Sequence, residues 1–175
     1  MANRLSPQEI ADQAKRTYQA GDYPAAIQAF AEAASAYADA GEMLMCAEMK
    51  NNQSVVLLRD KQVQTALETV QGTDVVFAEA GDTRRQGMAL TNQASALEAL
   101  KRFKEAIDFY TRAGDALEKA GEIDLRLEVM QLLSALYLRR FKFFDAIIAL
   151  QSGLGAVKNP TPKQRFMKKL LFFRL

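Results

Sequence analysis

Phe103-Lys104-Glu105-Ala106-Ile107-Asp108-Phe109-Tyr110 is the stretch whose reading decides the fold. From it onward Phe103, Ala106, Ile107, Tyr110, Ala113 and Leu117 step by three and four, the spacing of one face of an α-helix. The same order returns every forty residues. Tyr23, Val63, Phe103 and Phe143 share a column, followed by Ala26, Ala66, Ala106 and Ala146. Next come Ile27, Leu67, Ile107 and Ile147, then Phe30, Val70, Tyr110 and Leu150. Ala40-Gly41-Glu42, Ala80-Gly81-Asp82 and Ala120-Gly121-Glu122 mark the same interval with no insertion. A fixed period of this length is the signature of stacked helical units, each unable to bury its apolar face alone.

A first helix in each unit shows the same logic in the columns Ile10/Lys50/Leu90/Met130, Ala14/Ser54/Ala94/Ser134 and Thr17/Leu57/Leu97/Tyr137. Two helices approach to about 8 Å rather than 10 Å only where the side chains at their crossing are short. The small columns containing Ala94 and Ala106 therefore set the closeness of each pair. Gly41, Gly81 and Gly121 suit left-handed helix caps, and the acidic residue after each stands at the positive start of the next helix. Ser6-Pro7-Gln8-Glu9 reads as a capping box, and Thr161-Pro162-Lys163-Gln164 repeats the device. Nine helices are expected, over residues 7–20, 22–39, 42–58, 62–79, 83–99, 102–119, 122–139, 142–157 and 162–174. Gly72, Gly153 and Gly155 each weaken their helix by about 1 kcal/mol against Ala, so kinks or fraying are expected there.

The 175 residues, 49% apolar and 25% charged, have the composition of a soluble globular chain, and no apolar run reaches the roughly 18 residues of a membrane helix. The N-terminus has no apolar stretch of signal-peptide length, and a cytoplasmic location is expected. One cysteine, Cys46, and no histidine exclude an internal disulfide, a Cys/His pair and the usual zinc sites. No cofactor or metal is expected. Charge is uneven: residues 1–80 carry 6 basic and 11 acidic side chains, residues 81–175 carry 17 and 10. After Leu138 nine basic residues face only Asp145.

Asn92-Gln93-Ala94-Ser95-Ala96-Leu97 followed by Phe103 to Tyr110 resembles the tetratricopeptide repeat (TPR). So does Ala14 to Tyr18 followed by Gly21-Asp22-Tyr23-Pro24-Ala25-Ala26-Ile27 and Phe30. The usual repeat has about 34 residues, and the spacing of 40 here is similar to the longer-helix branch found in kinesin light chains, Leu-Gly-Asn polarity adaptors and bacterial regulators. The sequence departs from the pattern where Lys61, Lys101 and Lys142 or their neighbours replace the turn glycine. It departs again where Val63 replaces the aromatic, and where Gln replaces the first-helix leucine in three of four units. The resemblance implies an all-α, right-handed superhelix of about four helix pairs, over residues 7–40, 41–80, 81–120 and 121–160. It implies a non-enzymatic adaptor for a protein or peptide, and a capping helix over 161–175 is expected to close the array.

The family's inner positions map to a peptide groove formed by Lys15, Tyr18, Asn51, Asn52, Val55, Arg59, Met88, Thr91, Asn92, Ser95, Gln131 and Arg139. Polar residues at one end of each helix and apolar ones at the other suit an extended or helical peptide. Asn52 and Asn92 are the sharpest candidates, since the resemblance implies that they bind ligand backbone; a side-chain amide both donates and accepts. The competing reading has them bond neighbouring helices. Of the family's clamp for C-terminal carboxylates, Lys15 and Asn52 match, but Ala11, Met88 and Asn92 occupy the remaining places, so a chaperone-tail receptor is not expected.

Phe166, Lys168, Lys169, Leu170 and Phe173 in the basic, apolar tail are expected to cap the array, with a homodimer seam or an anionic membrane surface as alternatives. Nucleic acid is not expected, because the basic residues lack a groove-reading motif. The uneven charge raises a further alternative, a self-assembling scaffold in which the acidic half of one copy meets the basic end of another. No phosphate loop and no nucleophile beside a base occur, so no enzyme is expected. Gln13, Gln53 and Gln93 share a column with Leu133, which predicts that these amides pack between units and find partners there.

Overall fold

The structure, a computed structural model, describes residues 5–171. Among them ten α-helices and no strand follow in order: α1 (Pro7–Gln19), α2 (Tyr23–Asp39), α3 (Met43–Arg59), α4 (Val63–Val70), α5 (Thr73–Glu79), α6 (Thr83–Ala99), α7 (Phe103–Lys119), α8 (Ile123–Arg139), α9 (Phe143–Gly155) and α10 (Pro162–Leu171). The helices stack as a solenoid of pairs, each packing chiefly on its neighbours in sequence. No helix among the described residues is long and apolar enough to cross a membrane.

The junctions obey a ruler half as long as the one visible in the sequence. Residues 21, 41, 61, 81, 101, 121 and 141, spaced by twenty, all have positive φ. At each, the next residue's N–H reaches back five residues to a carbonyl, as in Glu42 to Tyr37 at 2.9 Å and Lys142 to Tyr137 at 2.9 Å. This is the Schellman closure, and only two residues separate one helix from the cap of the next. Glycine fills four of these seven places; Lys61 (φ 64°), Lys101 (φ 62°) and Phe141 (φ 59°) fill the others. The third replacement is thus Phe141 rather than Lys142, which serves as the N-cap of α9. Asp22 and Asp82 accept from the backbone N–H groups of Ala25 and Arg85, and Ser6 and Glu9 form the expected reciprocal box. Thr161 and Gln164 form another: Gln164 Oε1 accepts from the Thr161 N–H at 2.7 Å, and Thr161 Oγ1 from the Gln164 N–H at 3.3 Å.

Every residue of the two small columns is buried, so the helices of each pair cross through short side chains. The crossings come in two kinds. Ala14 faces the column of Ala26 and Ala94 that of Ala106, whereas Ser54 donates to the Ala66 carbonyl at 2.9 Å and Ser134 to the Ala146 carbonyl at 2.8 Å. A hydroxyl directed at a carbonyl keeps a buried polar group satisfied without widening the crossing.

Stacking between pairs uses two of the three glutamines of the column; Gln13, in the first pair with none before it to reach, is exposed. Gln53 donates to the Ile27 carbonyl at 3.1 Å, and Gln93 to Asp74 Oδ1 at 2.8 Å, each reaching back to the preceding pair. Leu133 takes the same place in the apolar core.

The helix expected over 62–79 is two helices. Gln71 leaves the helical region and Gly72 turns left-handed (φ 82°), ending α4 and starting α5. Thr73 Oγ1 donates to the Val70 carbonyl at 2.8 Å, which satisfies a group freed by the break. The break sets buried Asp74 in the first turn of α5, where the helix dipole favours a carboxylate and where Gln93 and Arg112 reach it. A cavity of about 150 Å³ lies beside the break, lined by Met43, Cys46, Lys50 and Val76 among others.

At Gly153 the outcome is opposite, for α9 runs through it unbroken. A Cβ on Gly153 would lie 2.8 Å from Met130 Cβ and 3.1 Å from Leu127 Cδ1, so the missing side chain is what lets α8 approach. Beyond it, α10 lays Met167 and Leu171 against Leu150, Leu154 and Val157.

Candidate functional site

Three successive first helices, α3, α6 and α8, contribute one wall. Between them lies a cavity of about 220 Å³ lined by Asn51, Asn52, Val55, Met88, Thr91, Asn92, Glu128, Leu132 and parts of Leu117, Leu125 and Val129. Six of the twelve residues assigned to a groove from the sequence meet here. Helical spacing explains the grouping: residues 51, 52 and 55 repeat as 91, 92 and 95, so equal turns of neighbouring helices stand side by side.

The two asparagine columns are not equivalent. Asn92 Nδ2 donates to Asn51 Oδ1 at 2.9 Å, linking α6 to α3, and Asn51 is 6% exposed. Asn52 is half-buried, lines the cavity and has no hydrogen-bond partner among the described residues. Met88 and Leu132 keep 36% and 42% of their surface exposed and supply the apolar part of the wall. The Thr91 hydroxyl is engaged within its own helix, donating to the Gly87 carbonyl at 2.8 Å.

The other six assigned residues lie apart from this cavity. Lys15 stands 3.9 Å from Asp12, and the Arg59 guanidinium lies 5.9 Å from the Tyr18 ring centroid. Gln131 is exposed on α8. Ser95 and Arg139 belong to a second, more open cavity of about 540 Å³, lined also by Glu98, Lys101, Phe103, Tyr110 and Arg140. There the Tyr110 hydroxyl donates to Glu98 at 3.1 Å and shares a 3.1 Å hydrogen bond with Ser95, and Arg139 ion-pairs with Glu98. Burial, more than the neighbouring Glu98 charge, pushes the Tyr110 phenol up to about 12. Sequence reading assigned neither Tyr110 nor Arg140 to a site. Tyr110 carried a signal, being alone in bearing a hydroxyl in the column Phe30/Val70/Tyr110/Leu150.

Of the tail residues, Phe166 and Leu170 are about two-thirds exposed, Lys169 is exposed, and Lys168 donates to the Val157 carbonyl at 2.8 Å. Phe173 lies outside the described residues.

No protein-family model and no curated protein matches the sequence. Solved structures do. The nearly identical TPR-like repeats assigned to a Podosopora anserina kinesin light chain superpose with a TM-score of 0.74 at 16% identity, over 94% of this chain and 82% of that one. A single-substitution variant of the same repeats gives 0.76 at 15% identity, over 97% and 86%. The MamA RS-1 ArsTM double mutant gives 0.65 at 17% identity, over 86% and 74%. At such identities the likeness reports architecture, and it agrees with the all-helical solenoid described above. The chain has the fold of a TPR-type repeat protein.

Proposed function

We propose that the chain is a non-enzymatic adaptor that holds a segment of a partner protein in the groove formed by α3, α6 and α8. The observation that carries this reading is Asn52: a half-buried amide with no partner among the described residues, bordered by exposed Met88 and Leu132. A peptide unit needs both a donor and an acceptor, and its apolar side chains need a surface to leave water. In this reading the four units run over 7–40, 41–80, 81–120 and 121–160, with 161–175 as the cap.

Peptides selected from a displayed library on the full chain provide the test. Asn52→Ala is expected to weaken the selected peptides about tenfold, the loss of a buried amide pair with ligand, while melting stays unchanged. Met88→Asp is expected to weaken them at least as much. A peptide that binds both variants as tightly as the parent chain overturns the groove reading. Asn92→Ala is the poorer probe, because it strands Asn51 and confuses stability with binding.

A further inference from the structure

The three columns that surround the start of a second helix are small or hydrophilic in the first three pairs. They read Gly21/Lys61/Lys101, Pro24/Gln64/Lys104 and Gln28/Glu68/Asp108. In the fourth pair the same places hold Phe141, Phe144 and Ile148, and all three stay in solvent, with Phe141 80% and Phe144 85% exposed. These columns face water along the whole array, so a further stacked pair would not cover them. Exposing a phenyl ring forgoes the benefit of burying it, and Phe141 also holds the left-handed φ that costs a side-chain-bearing residue about 1–2 kcal/mol. Two separate costs at one corner indicate that something offsets them.

The corner Arg139-Arg140-Phe141-Lys142-Phe143-Phe144 alternates cations with rings. Phe141 and Phe143 meet edge to face with centroids 6.4 Å apart. The Arg140 guanidinium lies 4.8 Å from the Phe103 centroid, so a stacked ring rather than a carboxylate holds it. Lys101 shares the adjoining cavity rim with Arg139 and Arg140. Among the described residues the carboxylates that reach these cations are Glu98, paired with Arg139, and Asp145, 3.9 Å from Lys142. The rings of Phe141 and Phe144 protrude, as their exposure shows, while Ile148 borders a cavity of about 200 Å³ with Tyr137 and Asp145.

We propose that this corner docks on an anionic lipid surface, with the rings entering the apolar boundary and the cations facing the headgroups. Charge complementarity selects the occupant: the excess cations need an anionic plane. Shape favours lipid over a folded partner, because protruding rings need a receiving pocket in a rigid protein and none in a deformable bilayer. The inference is independent of the groove, and it places the contact at the α8–α9 corner instead of the tail helix named among the sequence-based alternatives.

The test is co-sedimentation of the full chain with vesicles of phosphatidylcholine alone or mixed with phosphatidylserine. The chain is expected to pellet with the mixed vesicles, to remain in solution with the neutral ones, and to be released by salt. Phe141→Lys with Phe144→Gln, the residues of the second pair, is expected to weaken pelleting about tenfold or more with no loss of melting temperature. Arg140→Glu with Lys142→Glu is expected to weaken it by a similar factor at low salt. Phe166→Gln in α10 is expected to leave it unchanged. Failure of the parent chain to pellet, equal pelleting with neutral vesicles, or full retention by the ring variant would falsify the proposal. Light scattering of the same samples separates one rival: an oligomer that the ring variant disperses, without vesicle binding, assigns the corner to a second copy.

Discussion

Gly72 and Gly153 stand one residue apart in the repeat frame, both in second helices, and they do opposite things. At Gly72 the backbone turns left-handed and one helix becomes two, which sets Asp74 at a new helix start within reach of Gln93 and Arg112. At Gly153 the helix is continuous and the absent Cβ makes room for Met130. The first glycine is needed for its φ, the second for its size. The difference lies in the neighbours: at Gly72 a break sets Asp74 where Gln93 and Arg112 reach it, whereas at Gly153 Met130 and Leu127 of α8 come close and buried Arg126 reaches the Ser152 carbonyl and hydroxyl without any break. Helix propensity treats both as defects of similar magnitude, so it cannot distinguish them.

Gly153→Ala is expected to lower stability by about 3 kcal/mol despite better helix propensity, because the new methyl meets Met130 Cβ and the helices must separate; denaturant titration reads it. Gly153→Ala with Met130→Ala is expected to recover part of the loss. The uninterrupted helix between the two, α7, offers a pH probe. Tyr110 there titrates near 12 when folded against about 10 when unfolded. Its contribution is complete below pH 10 and is lost as pH rises through 12. The parent chain is therefore expected to lose about 2 kcal/mol more than Tyr110→Phe across that window, measured by melting at stepped pH.

Next in size, Asp74→Ala is expected to cost about 1.5 kcal/mol by leaving the Gln93 amide buried without an acceptor. Adding Gln93→Leu, the residue type at position 133, is expected to return most of it, which would show that the break serves the polar anchor. Gly72→Ala is expected to cost about 1 kcal/mol from the left-handed φ alone. A gain in stability there would mean that α4 and α5 fuse, and would undo the contrast with Gly153. Smallest and of opposite sign, Phe141→Gly is expected to stabilise by about 0.5–1 kcal/mol, since glycine is the residue that fits φ 59°.

The features legible in the sequence were those that repeat. Small crossings, the glycines that close the helices and the backward-reaching glutamines each recur in columns, and a column averages out its context. What escaped was what occurs once. The break after Val70 accompanies a contact between Asp74 and Gln93 nineteen residues away, although an Asp in the column Ala34/Asp74/Gly114/Leu154 was a visible anomaly. The choice of Phe141 over Lys142 is a shift of one residue within a turn, which the alignment of flanking apolar positions does not resolve. In the candidate groove, the composition of the wall could be mapped from the resemblance. The pairing of Asn92 with Asn51 could not, because it joins helices forty-one residues apart and leaves the neighbouring Asn52 unmatched. The exposed rings at the α8–α9 corner were hidden by the column containing Phe143, which looks ordinary beside Tyr23 and Phe103.

The twenty-residue junction also governs how such a chain can change length. Each closure leaves only two residues between a helix and the cap of the next, so there is no loop to absorb an insertion. One residue added inside a helix rotates everything after it by about 100° and turns buried faces outward. Twenty residues gained or lost keep every closure intact yet exchange inner helices for outer ones. Forty preserve both, so the length of this array is in effect quantised, and duplication or deletion leaves the remaining faces in place only in steps of a full pair.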